Sequence, residues 1–171
     1  MHARDTIHID APVGVVDRLA LPPEAWSRYF VGMSAPDEVV GDGGPGTTVT
    51  FAMSPPGSKP FRATATVAEW EHRGDGSVHW RGEYSGGMGG WETWDLRPEG
   101  GGTSVAIEMD AQPAGGALVR AAATLFVQRP LRRNVHQSLW NLKRLAESSE
   151  PVQRLRAASI SPAADACEAV G

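Results

Sequence analysis

The spacing of apolar residues changes twice along the chain, from strand-like to helical and back. Thr6 to Asp10 alternates polar and apolar positions with Ile7 and Ile9 on one side, which predicts a β-strand. Val13 to Leu21 is predicted to form a short helix, because it begins directly after a proline and proline is favoured at the start of a helix. A pair of prolines must end that helix, and Glu24 to Phe30 is predicted to form a second short one. In the second helix Trp26, Tyr29 and Phe30 recur at spacings of three and four residues and therefore share one face.

Beyond these helices the period becomes two, as is typical of strands. Clusters rich in glycine and proline separate five such segments, and connections this short indicate an antiparallel meander. The predicted strands are Thr47 to Met53, Phe61 to Trp70, Ser77 to Tyr84, Trp91 to Arg97 and Thr103 to Met109.

The helical period returns from about Gly116 to Glu147. Pro130 lies inside this segment, and it predicts a kink or break between Phe126 and Pro130 because proline removes a backbone donor. Residues 149–171 are small and polar with little periodicity and are predicted to be a disordered tail. We therefore expect one folded domain over residues 1–148.

These elements predict an α+β fold. A sheet with one apolar face needs a cover, and the long C-terminal helix is the only predicted element large enough to provide it. We expect a curved antiparallel β-sheet wrapped around that helix, with two short helices after the first strand.

Composition narrows the functional classes. The 171 residues suit one domain, and the net charge of -4 argues against binding of nucleic acid. No apolar run is long enough to span a bilayer, and the N-terminus has no apolar signal core, so we expect a cytoplasmic protein without stable membrane insertion. The single cysteine, Cys167, has no partner for an internal disulfide.

No familiar catalytic motif occurs in the sequence. GxSxG, HExxH and the P-loop are missing, and the GxGxxG spacing occurs only in GDGGPG, a turn that precedes a predicted strand and not a helix. Nucleophile-elbow, zincin, phosphate-loop and dinucleotide hypotheses therefore have no support. The five histidines are scattered without HxH or HxxxH spacing. We therefore expect no metal site and no cofactor.

Three stretches nonetheless resemble a known family. They are IHIDAPVGVV at the first strand and helix, WDLRPEGGGTSV at the penultimate hairpin and SLWNLKRLAE at the end of the long helix. In their order and spacing the chain resembles the START-like or SRPBCC superfamily, particularly its polyketide cyclase/dehydrase-like group. The resemblance implies the helix-grip fold, with a deep cavity between sheet and C-terminal helix that holds a hydrophobic small molecule.

Large apolar side chains at inward positions suit such a cavity. Aromatic and methionine side chains supply polarisable surface with few polar demands, although each could equally fill an ordinary core. The candidate ligand-binding residues are Trp26, Tyr29, Phe30, Phe51, Met53, Glu69, Trp80, Met88, Trp94 and Phe126.

Glu92 is the leading acid/base candidate. Alternation places it on the same face as Trp94 and Leu96, where burial would raise the pKa of its carboxyl. Glu69 shares a face with Val67 and is a second candidate, whereas the neighbouring tryptophan at position 70 would point away. Alternatively, both carboxylates are solvated strand-end groups or are paired with arginines.

Tyr84 and Arg129 complete the predicted catalytic set. Tyr84 could donate its hydroxyl proton to a ligand or could pack with that hydroxyl in water. Arg129 could hold a ligand carboxylate or carbonyl or could extend into solvent from the helix. The aromatase/cyclase relatives use inward arginines and a tyrosine, and Gly82 stands at one inward position where the resemblance would place an arginine.

The hairpin YSGGMGGWETW raises a separate possibility. Its glycines permit positive φ and a mobile loop, and Met88 supplies an adaptable apolar tip. The stretch is either a gate at a cavity opening or an ordinary glycine-rich turn.

Three functional classes remain open. The first is a metal-independent polyketide cyclase/dehydrase-like enzyme, of lyase or isomerase type, that binds a polyketide-, lipid- or aromatic-like molecule. The second is a carrier that sequesters such a ligand without catalysis. The third is a protein-interaction module similar to the Hsp90-activator branch of the superfamily. In each case we expect a monomer or a homodimer.

Overall fold

The computed structural model describes residues 1–54, 59–113, 117–149 and 152–153, and within these ranges the side chains of 113–128 are left out of the description. Seven strands and three helices follow one another along this described part of the chain. In order they are β1 (His2–Ile9), α1 (Val13–Ala20), a 3-10 helix (Pro23–Arg28), β2 (Glu38–Val40), β3 (Thr48–Met53), β4 (Phe61–His72), β5 (Val78–Gly86), β6 (Met88–Glu99), β7 (Gly102–Pro113) and α2 (Ala117–Glu147).

The strands form one antiparallel sheet in the order β1-β7-β6-β5-β4-β3-β2. Strands β2 to β7 pair in sequence order, which confirms the predicted meander, and β1 pairs with the outer edge of β7. The sequence prediction missed β2. This strand has three residues, all exposed, and is too short for any period to be recognised.

Helix α2 is continuous across Pro130. Of the predicted kink or break before that proline, the break is therefore wrong, and the kink stays a prediction. Four apolar side chains on the second half of the helix are buried: Val135, Leu139, Leu142 and Ala146. They belong to the same apolar core as the buried residues of the sheet and of α1. Within the described part of the chain, no helix combines the length and apolar character needed to cross a membrane.

The core lies on one face of the sheet. Its largest fully buried side chains come from several strands and from the segment after the 3-10 helix, and they include Phe51, Trp80, Trp94, Ile107 and Tyr29. Alternate residues of each strand point into this core because successive strand side chains face opposite sides. Most of the predicted ligand-binding residues consequently lie in one region of the interior.

The structured chain extends beyond the predicted domain limit at residue 148. Val152 is only 2% exposed and belongs to the apolar core. The backbone N–H of Gln153 donates to the carbonyl of Ser149 at 3.1 Å, which is the four-residue spacing of a helical hydrogen bond. Residues 154–171, most of the predicted tail, lie outside the described residues.

Candidate functional site

Glu92 is buried at the centre of the sheet. It lies on β6, opposite Gly82 of β5 and Met109 of β7. The residue is 1% exposed, and Trp94 and Leu96 on the same face are buried beside it. The inward position that alternation predicted for Glu92 is therefore the one it occupies.

Each carboxylate oxygen of Glu92 accepts one hydrogen bond. The Tyr84 hydroxyl donates to Oε2 at 3.1 Å, and Trp94 Nε1 donates to Oε1 at 2.5 Å. Both donors are neutral. Among the ion pairs of the described residues, none includes Glu92. The carboxyl is thus held by hydrogen bonds alone, without a described cation to balance its charge.

This environment raises the pKa of Glu92 from 4.5 to about 7. Burial is the dominant cause because it penalises the charged form, while the bonds from Trp94 and Tyr84 lower the pKa and partly offset that effect. Near neutral pH the carboxyl is therefore divided between its protonated and ionised forms, and it can either give or take a proton.

The two neighbouring tyrosines remain protonated. Burial, and then the negative charge of Glu92, raise the pKa of Tyr84 and of Tyr29 well above 10.0. The hydroxyl of Tyr29 donates to the backbone carbonyl of Ala20 at 2.7 Å. Both hydroxyls consequently act as hydrogen-bond donors at physiological pH.

Edge-to-face aromatic contacts connect the 3-10 helix region to the sheet around Glu92. Trp26 contacts Trp80 and Phe51 at centroid distances of 5.8 and 6.2 Å. Tyr29 and Phe30 each contact Trp94, at 5.9 and 5.8 Å. The carboxyl therefore lies in an aromatic interior.

Gly82 makes room for a tryptophan. A Cβ atom at position 82 would lie 2.3 Å from Cη2 of Trp80, so the indole ring of Trp80 occupies the space beside this glycine. An arginine could not occupy position 82 without displacing that ring. The departure from the aromatase/cyclase pattern thus has a structural reason.

The structure brings together most of the residues predicted from the sequence. Seven of them are buried: Trp26, Tyr29, Phe51, Trp80, Tyr84, Glu92 and Trp94. Phe30, Met53 and Met88 are partly buried and pack against the same core. The side chain of Phe126 lies outside the described residues.

Two predicted polar residues do not join this group. The register of β4 against β5 shifts between Val67 and Glu69, and this irregularity turns Glu69 to the exposed face, 3.7 Å from His79 Nε2. Trp70 turns towards the core instead. Strict alternation gave the opposite assignment for both because an inserted residue reverses the faces beyond it. Arg129 is exposed on α2 and is not placed beside Glu92.

The glycine-rich hairpin is part of the sheet and not a loop. Strand β5 ends at Gly86 and β6 begins at Met88, and the N–H of the single residue between them, Gly87, donates to Arg62 O at 2.9 Å. Gly90 pairs with Tyr84 on one side and with Ala111 on the other. The prediction of a loop is therefore wrong for this stretch, and its role as a gate stays a prediction.

Sequence reasoning missed a second polar cluster. Asp17 of α1 is 8% exposed, and its Oδ2 lies 2.9 Å from Nε2 of His72, at the end of β4. The ring of Trp70 stacks on His72. No local signal could have found this contact, because 55 residues separate its two partners. The bond from Trp94 to Glu92, in contrast, joins side chains two apart on one strand face and could have been anticipated.

Comparison with known families decides the relationship. The family model described as "Polyketide cyclase / dehydrase and lipid transport" matches residues 1–147. The chain belongs to this family. Membership confirms the resemblance that the three sequence stretches indicated. A comparison with curated proteins gave no match.

Solved structures of similar fold include members with differing names. TTHA0849 from Thermus thermophilus is 26% identical, with a TM-score of 0.70, over 87% of this chain and 100% of its own. The Zhui aromatase/cyclase from Streptomyces sp. R1128 is 15% identical, with a TM-score of 0.65, over 92% and 97%. A STAR-related lipid transfer protein from Xanthomonas axonopodis is 18% identical, with a TM-score of 0.63, over 85% of each chain. The last two show a shared fold only.

Proposed function

We propose that this family member binds a hydrophobic small molecule, polyketide-, lipid- or aromatic-like, between its sheet and its C-terminal helix in a helix-grip arrangement. Glu92 exchanges a proton with that ligand. The observation that carries the proposal is the burial of the Glu92 carboxyl among aromatic rings with a pKa of about 7.

Such a carboxyl is a poor choice for a residue that only fills a core. Moving a carboxylate out of water costs several kcal/mol unless it is paired, and an apolar residue of similar volume would avoid that cost. A group with a pKa near the operating pH is, in contrast, the kind that proton transfer requires. The position of Glu92 is therefore better explained by chemistry than by folding.

In an enzyme of the cyclase/dehydrase type, each of these side chains would have its own role. Protonated Glu92 donates to an oxygen of the bound molecule, and ionised Glu92 accepts a proton from carbon or oxygen. Tyr84 and Trp94 are positioning residues because each donates to one oxygen of the carboxyl and fixes its orientation. The aromatic surfaces hold the apolar chain in place, and orientation alone lowers the barrier substantially.

A carrier without catalysis is the second candidate, and one observation favours it. Both oxygens of Glu92 already accept hydrogen bonds, and the hydroxyl of Tyr29 is committed to a backbone carbonyl. A site whose polar groups satisfy one another can enclose a ligand without reacting with it. The names of the neighbours cover both alternatives, since one is called an aromatase/cyclase and another a lipid transfer protein.

Calorimetric titration tests the involvement of Glu92. The wild-type chain is titrated near pH 7 with a hydroxyanthraquinone, a long-chain alcohol and a sterol, in buffers of different ionisation enthalpy. We expect at least one ligand to bind with proton uptake or release, because enclosing it changes the environment of a half-protonated carboxyl. Glu92→Gln should bind the same ligand with no proton exchange.

Glu69→Gln is the matched control because it removes an exposed glutamate from the same sheet. It should behave as the wild type. Unchanged proton exchange in Glu92→Gln would contradict the role of this carboxyl. Conversion of the bound ligand by the wild type but not by Glu92→Gln would favour the enzyme, and binding without conversion would favour the carrier.

A further inference from the structure

Three buried tryptophans differ in how their indole N–H groups are satisfied. Trp26 Nε1 donates to Leu21 O at 3.1 Å, and Trp94 Nε1 donates to Glu92. Trp80 is 1% exposed, yet its Nε1 is a buried donor without an acceptor among the described residues. Its cross-strand partner Trp70 has the same deficiency, so two paired residues of β4 and β5 each carry an indole N–H without an acceptor among the described residues.

An unsatisfied buried donor is expensive. A buried N–H without an acceptor loses the hydrogen bond that it makes to water in the unfolded chain, and buried tryptophans usually find a partner. A phenylalanine would supply an aromatic surface at position 80 without this cost. The indole N–H is therefore best explained by an acceptor that a bound molecule brings.

Trp80 borders the Glu92 site. It pairs with Trp94 across β5 and β6, and its ring lies beside Gly82, the residue directly opposite Glu92. Directly opposed side chains on neighbouring strands are about 5 Å apart at Cβ. The atoms of the Trp80 ring nearest to Gly82 are Cη2, Cζ3 and Cζ2 of its six-membered ring. A ligand beside Glu92 would meet this edge first, and it would have to extend further along the indole to reach Nε1.

These two groups select the chemistry of the ligand. The N–H of Trp80 needs an acceptor and gains nothing from an ammonium group. The ionised fraction of Glu92 repels a carboxylate, whereas its protonated fraction can donate to a neutral oxygen. A neutral carbonyl or hydroxyl oxygen suits both groups.

We propose that Trp80 Nε1 donates a hydrogen bond to a neutral carbonyl or hydroxyl oxygen of an apolar ligand, and that this bond selects oxygen-bearing molecules over hydrocarbons and over carboxylates. The inference rests on the proposed function and deepens it, because it names the ligand class and a residue that determines specificity.

A pair of nearly isosteric probes tests the inference. The full chain is titrated with 2-acetylnaphthalene, which carries a ketone oxygen, and with 2-isopropylnaphthalene, which replaces that oxygen by a methyl group. A net hydrogen bond should make the ketone bind about five- to tenfold more tightly. In Trp80→Phe this ratio should fall severalfold, because only the protonated fraction of Glu92 then remains as a donor.

Trp26→Phe is the matched comparison. It removes a neighbouring indole whose N–H is already bonded to Leu21, so the ratio between the two probes should persist even where both affinities change. If Trp80→Phe does not fold, the indole N–H resonance of Trp80 in the wild type decides the question. It should lie further downfield with the ketone bound than with the hydrocarbon bound, and no difference between the two probes overturns the inference.

The outcomes separate this inference from the proposed function. The role of Trp80 is overturned if the wild type binds ketone and hydrocarbon with equal affinity, or if the ketone preference is unchanged in Trp80→Phe. Either result leaves a hydrophobic binding site in place. Binding of neither probe overturns both proposals.

Discussion

At the scale of single residues, the defining feature is a buried carboxyl group whose ionised form is destabilised by burial. Glu92 is buried with only neutral donors around it in the described structure. Those donors, Tyr84 and Trp94, stabilise the ionised form, but burial outweighs them and raises the pKa of Glu92 to about 7. The free energy of unfolding should therefore carry the signature of this one group.

The pH dependence of that free energy is a direct prediction. Between pH 4.5 and about 7 the folded chain holds a proton on Glu92 that the unfolded chain has released, so stability falls as pH rises through this range. The contribution lost between pH 5 and pH 8 should be about 2–3 kcal/mol. Urea unfolding of the wild type and of Glu92→Gln at both pH values measures it.

The difference between wild type and variant isolates this group from others that titrate in the same range. Glu92→Gln should gain about 2–3 kcal/mol relative to the wild type between pH 5 and pH 8, whereas Glu69→Gln should gain almost nothing. If the free energy of unfolding varied with pH in the same way for the wild type and for Glu92→Gln, burial would not raise the pKa of Glu92.

At the scale of elements, alternation predicted the inward face of β3, β5 and β6 because strand side chains have a strict period of two. The same rule failed on β4, where the register shift reversed the faces of Glu69 and Trp70. The helical period located α2 but could not show that the helix continues through Pro130. Local patterns thus predict an element but not its irregularities.

The glycine-rich hairpin shows why such errors occur. Glycine is equally suited to a mobile turn and to a strand that another backbone approaches closely. A Cβ atom at Gly90, where φ is 125°, would lie 1.8 Å from Asp110 O on β7. The strand that imposes this requirement lies about 20 residues further along the chain, so the sequence around the hairpin does not reveal it.

A substitution distinguishes close packing from turn conformation. Gly90→Ala combines positive φ with a backbone clash and should lower the free energy of unfolding by roughly 3 kcal/mol or more. Gly43→Ala is the control, since Gly43 also has positive φ, 94°, but a Cβ there would meet nothing within 4 Å. It should cost about 1 kcal/mol. Equal losses in urea unfolding would argue against close packing at the hairpin.

At the scale of the whole molecule, family and fold do not decide the chemistry. The family model covers residues 1–147, while the named neighbours include an aromatase/cyclase and a lipid transfer protein on a similar fold. Function on a shared fold is set by the residues of the site. We propose that the deciding groups here are Glu92 and Trp80, which the sequence could place on the inner face. The bond from Tyr84 to Glu92, and the lack of an acceptor for Trp80 Nε1 among the described residues, depend on side-chain packing between separate strands. Periodicity carries no information about that packing.

Native mass spectrometry of the freshly purified full chain, followed by extraction and identification of any retained molecule, tests the central claim most directly. We expect a folded protein that carries one apolar molecule with a carbonyl or hydroxyl oxygen. A protein purified without such a molecule should bind one from a panel of neutral aromatics and lipids. A folded chain that shows only its bare mass, and that binds no member of the panel, would contradict the claim of a hydrophobic binding site.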